Sequence, residues 1–71
     1  MKSNTSIVSQ AELALRQSPI PALRYLSVEE TDSQVVISGY VPTYYLKQMA
    51  QETVMPVLER RGLLNQVEVV R

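Results

Sequence analysis

Residues 35–41 read VVISGYV, and one position later the hydrophobic period changes. Val35, Ile37, Gly39 and Val41 fall on one face of a two-residue repeat, while Val36, Ser38 and Tyr40 fall on the other. After Pro42 the apolar residues come in pairs: Tyr45–Leu46, Met49–Ala50, Thr53–Val54 and Val57–Leu58. Each pair lies one helical turn beyond the last, so the pairs stack into one broad stripe. Pro42 ends the strand and Thr43 is a suitable N-cap. A half-buried strand that feeds directly into an amphipathic helix commits the chain to a sheet covered by a helix. Gly39 sits on the inward face, where a side chain would ordinarily pack. Its lack of a Cβ is expected to let the backbone of that helix approach the sheet, with a β-bulge as the alternative.

The remaining elements follow from the same periodicities. Ile7, Val8, Ala11, Ala14 and Leu15 make one apolar face, which predicts a helix over residues 6–17. Ser6 can cap it, and Ser9 with Glu12 forms an alternative capping box one turn later. Pro19 and Pro21 stop it. Residues 23–30, LRYLSVEE, are expected to form a strand with Leu26 and Val28 on one face and Tyr25, Ser27 and Glu29 on the other. Thr31, Asp32 and Ser33 have the length and polarity of a hairpin turn.

Pro56 falls late in the second helix and removes the bond to the Glu52 carbonyl, so a kink or a break is expected there, the kink being preferred because the stripe stays in phase through Val57 and Leu58. Arg60 and Arg61 are expected in the last turn, with Gly62 at the left-handed closing position. Residues 66–70, QVEVV, give a third short strand with Val67 and Val69 on one face.

The predicted fold is therefore α+β: an α-β-β-α-β two-layer sandwich, with two helices on one face of a small three-stranded sheet. A helix of roughly seventeen residues spans about 25 Å, so the third strand returns parallel to the second. Whether it pairs with the first or the second strand stays open. Residues 1–5 are expected to be a disordered tail and residues 6–71 a single domain, since 71 residues cannot supply two cores.

Composition narrows the function. The chain has no cysteine and no histidine. Disulfides, thiolate metal sites, the commonest general base and the commonest metal ligand are all missing. Glu29, Glu30 and Asp32 are the one acidic cluster, and a solvated turn is its simplest role. Ser38 has no activating base, and two glycines cannot build a phosphate loop. No enzyme, metal or cofactor is expected.

Seven basic and seven acidic residues cancel, which disfavours a nucleic-acid binder. No apolar run is long enough for a transmembrane helix, and the N-terminal residues lack the apolar core of a signal peptide. If Met1 is the natural start, the chain is expected in the cytoplasm. If it is a piece of a longer protein, an envelope-associated or periplasmic location stays open.

The pattern Val35-x-Ile37-Ser38-Gly39-x-Val41, then a helix, then Gly62–Leu63 and a strand with Val67 and Val69, resembles the BON domain, a small module of bacterial osmotic-stress and envelope proteins. Two features depart from that pattern: Asn65 comes early, and Pro56 interrupts the helix. The resemblance implies the same α-β-β-α-β fold. It also implies a non-enzymatic module that binds phospholipid surfaces or other envelope components.

Candidate contact residues cluster in two places. Tyr40, Tyr44 and Tyr45 surround Pro42 with Lys47 nearby, a combination suited to a lipid headgroup boundary. The plainer reading has Tyr45 in the core and Tyr40 covering the outer sheet face. Arg60 and Arg61 suit phosphate groups, and more plainly the carbonyl end of the helix. Tyr40, Tyr44, Lys47, Arg60 and Arg61 are thus the candidate lipid- or partner-binding residues. Tyr25, Val36 and Tyr40 are the candidate outer sheet face, open to a protein partner or weak self-association. Single-stranded nucleic acid, stacked on tyrosines, is a third and less favoured partner. Gly39, Gly62, Pro42 and Pro56 are assigned structural roles.

Overall fold

The computed structural model describes residues 6–70; the expected tail over residues 1–5 lies outside the described residues. α1 spans Ile7–Arg16 and buries Ala11 and Leu15. Ser6 caps it, its Oγ accepting from the Ser9 N–H at 3.1 Å. The capping choice that the sequence leaves open is thereby resolved in favour of the earlier start.

The stretch after α1 departs from expectation. Pro21–Tyr25 forms a 3₁₀ helix rather than the start of a strand, and β1 is confined to Ser27–Glu30. Pro21 at the first helical position fixes φ for a helical turn, and that turn drops Leu23 fully into the core. Arg24 ties the segment down, its Nε donating to the Ser18 carbonyl at 2.8 Å. Leu26 and Val28 still share the inward face, both buried.

β2 spans Gln34–Val41 and pairs antiparallel with β1, Val28 opposite Ile37. Val35, Ile37 and Val41 are buried, as the alternation requires. Gly39 is on the inward face, but the reason differs from the expected approach of a helix. A Cβ there would lie 2.6 Å from Leu26 Cδ2, and the backbone adopts φ +135°. The neighbour is the residue leading into β1, and the conformation itself excludes other L-residues.

Thr43 caps α2, Tyr44–Leu58, by accepting from the Leu46 N–H at 3.1 Å. α2 buries Ala50, Val54 and Leu58. It passes through Pro56 as one helix, so the break is not observed. Pro56 and Glu52 both face solvent, where water can satisfy the freed Glu52 carbonyl.

The helix ends earlier than expected. Glu59 takes the positive-φ position (φ 58°, ψ −110°), and the Arg61 N–H donates to the Leu58 carbonyl at 3.0 Å. Arg60 and Arg61 therefore lie beyond α2 rather than in its last turn, and Gly62 opens β3 instead of closing the helix. β3 spans Gly62–Val69 and pairs with β2 in parallel over its full length, from Gln34 opposite Gly62 to Val41 opposite Val69. The 15 residues of α2 cover about 22 Å, close to the roughly 26 Å of an eight-residue strand, so one crossover fits the whole ladder.

The sheet order is β1-β2-β3. Both helices cover the face carrying Val28, Val35, Ile37, Val41 and Val67, all buried, while Tyr40 and Leu64 on the other face are exposed. The α+β two-layer arrangement is as the sequence predicts.

Candidate functional site

The junction of β2 and α2 builds the first candidate site. Tyr40 is the last outward residue of β2, and Thr43 fixes the first turn of α2 two residues after Val41. That geometry leaves Tyr40, Tyr44 and Tyr45 exposed to 69%, 68% and 68%. Tyr45 is therefore not a core residue; Leu46 and Met49 pack against the core from this end of α2. Tyr40, Tyr44 and Lys47 line one open depression with Gln66, Glu68 and Val69. A second depression continues from Tyr44 and Lys47 to Gln48, Gln51 and Asn65. Three of the five expected contact residues are thus brought together.

The other two are not. Arg61 sits at the opposite end of β2, about 26 Å along the strand. Its Nη1 meets Glu30 Oε2 at 2.7 Å, and its Nη2 donates to the Thr31 carbonyl at 2.8 Å and to the Gln34 carbonyl at 3.5 Å. The guanidinium closes over the β1–β2 turn, which is itself held by the Thr31 N–H donating to the Gln34 carbonyl at 2.8 Å. Arg60 is exposed at that same end. Within the acidic cluster, Glu30 is taken up by Arg61. Among the described residues, no group of three acidic, histidine or cysteine side chains is placed to hold a metal ion.

The outer sheet face also differs from its expected membership. Tyr25 is 84% exposed but belongs to the 3₁₀ helix, not to β1. Val36 lies between Glu29 of β1 and Leu64 of β3, so Leu64, 39% exposed, is its apolar neighbour on this face. The sequence hides Leu64 because β3 begins four residues before the valine alternation becomes visible.

Asn65, marked in the sequence only as a departure from the BON pattern, has a structural role. It faces α2 from β3, donating from Nδ2 to the Lys47 carbonyl at 3.1 Å and to Gln51 Oε1 at 3.5 Å. Its Oδ1 accepts from the Val67 N–H at 3.1 Å.

No helix among the described residues is long and apolar enough to cross a membrane. Compared with protein-family models and with curated proteins, the chain matches none.

Proposed function

We propose that this chain is a non-enzymatic module of the BON type that docks on anionic phospholipid surfaces through the corner formed by Tyr40, Tyr44 and Lys47. The observation that carries this reading is two tyrosines, each about two-thirds exposed, that line one open depression with a lysine at the strand–helix junction. Water is a poor environment for that much aromatic surface. A tyrosine ring with its hydroxyl suits the boundary between headgroups and acyl chains. Lys47 adds attraction to anionic headgroups, worth about 1 kcal/mol per basic residue near such a surface. Thr43 and the β2 ladder hold the junction, so little ordering is needed on contact. Arg60 and Arg61 are outside the contact, because they lie at the other end of the sheet and Arg61 is already paired.

The test is an amide-shift titration of the labelled protein with anionic and then zwitterionic vesicles, at low and near-physiological salt. The expected result is broadening confined to residues 40–47, stronger with anionic lipid and weaker at higher salt. No change at any lipid concentration, or broadening centred on Arg60 and Arg61, contradicts the reading.

A further inference from the structure

Among the described residues β3 is an edge strand, eight residues long, that pairs only on its β2 side. The hydrogen bonds reveal which groups face outward. The Val70 N–H donates to the Val41 carbonyl at 2.8 Å, so the even-numbered positions turn toward β2. The Val67 N–H reaches Asn65 Oδ1 instead, so the odd-numbered positions turn outward. Leu63, Asn65, Val67 and Val69 therefore present their main-chain groups along the open edge.

Edge strands are normally guarded by lysine, proline, bulges or shortness. β1, the opposite edge, is four residues long and flanked by Glu12, Arg16 and Arg24. β3 has none of these guards: Glu68 is its one charge, and its ladder is unbroken.

We infer that β3 pairs antiparallel with β3 of a second copy of this chain, with Val67 on the twofold axis. Only odd positions can exchange hydrogen bonds, so the available registers differ by whole two-residue steps. Centring on Val67 sets Asn65 opposite Val69 of the second copy. On the outer face it sets Leu64 against Val70 of the second copy, and Gln66 against Glu68 of the second copy. Leu64 and Val70 are two of the large hydrophobic side chains left exposed in the monomer, at 39% and 51%. This register covers both and keeps the two Glu68 carboxylates apart. A shift by one step to either side places Glu68 against Leu64 or against itself.

The apolar row Val36–Leu64 of β2 and β3 then continues across the axis. About six inter-strand hydrogen bonds form. The Val67 N–H exchanges its Asn65 acceptor for the facing Val67 carbonyl, and Asn65 keeps its bond to α2.

The test uses the full chain without lipid. Sedimentation is measured from micromolar to millimolar protein, with amide hydrogen exchange at both ends of that range. The expected result is a monomer–dimer equilibrium in which the Asn65, Val67 and Val69 amides gain protection with concentration. Leu64, Gln66 and Glu68 should be protected throughout. Leu64→Lys, an exposed outer-face change, should raise the dissociation constant about tenfold or more. A monomer at every concentration overturns the inference. So does a dimer whose odd-numbered β3 amides stay unprotected, or one that Leu64→Lys leaves unchanged.

Discussion

Gly39→Ala isolates the cost of the backbone conformation on which the inner sheet face depends. The added Cβ meets Leu26 Cδ2 at 2.6 Å and Leu26 Cα at 3.5 Å. The first contact is severe, but Cδ2 is the end of a side chain that can rotate away. The second is ordinary van der Waals distance. The φ of +135° cannot be relieved so locally, because Gly39 is held by parallel pairing opposite Val67. Backbone strain of this kind costs about 1–3 kcal/mol, and overpacking of the Leu26 site adds about 1 kcal/mol, for a total of about 2–4 kcal/mol.

A domain of 71 residues has about 4–10 kcal/mol in total, so the midpoint of a thermal melt should fall by roughly 10–30 °C. A double-mutant cycle with Leu26→Ala separates the two causes. If conformation dominates, the coupling energy is below about 1 kcal/mol, because removing Leu26 leaves φ unchanged. A melt of Gly39→Ala within about 0.5 kcal/mol of the parent refutes the reasoning, and so does a double mutant in which the loss disappears.

Two further stability predictions follow from the far end of the sheet. Glu59 occupies a position with φ 58° and ψ −110°, the first central position of a turn that favours glycine; Glu59→Gly should stabilise by about 1 kcal/mol, seen as a higher urea midpoint at unchanged slope. Arg61→Met keeps the aliphatic stem but removes the contacts to Glu30, Thr31 and Gln34. Because both partners are about one-third exposed, the loss should be limited to about 1–2 kcal/mol, with faster amide exchange at Thr31.

The unit from Val35 to Leu58 is legible in the sequence because each level of it agrees. Alternation marks β2, Pro42 ends it, Thr43 caps α2, and the paired stripe sets the helix face. The 3₁₀ helix is not legible. The alternation of Leu26 and Val28 is real, but it extends backwards only as far as Pro21 allows, and the burial of Leu23 comes from a turn rather than a pleat. β3 is longer than its valines suggest because parallel pairing with β2 recruits Gly62 to Asn65, residues with no strand signature of their own.

The end of α2 is not legible for a related reason. Gly62 satisfies the sequence rule for a left-handed closing residue, yet it opens β3 opposite Gln34, and the chain leaves α2 through a turn with Glu59 at positive φ. Of the candidate site, the tyrosine corner is legible because its residues are close in sequence. The separation of Arg61 from that corner is not, since it depends on which end of the sheet each loop occupies.

The most direct measurement of the proposed function compares vesicle binding by the parent chain, Lys47→Glu and Arg60→Glu in a flotation assay with anionic lipid. Reversing a charge inside the contact should weaken binding about tenfold or more, so Lys47→Glu should stay with the protein fraction. Arg60→Glu, at the opposite end of the sheet, should float like the parent. Equal loss in both variants would show that net charge rather than the Tyr40–Tyr44–Lys47 corner governs binding, and unchanged flotation of Lys47→Glu would contradict the account outright.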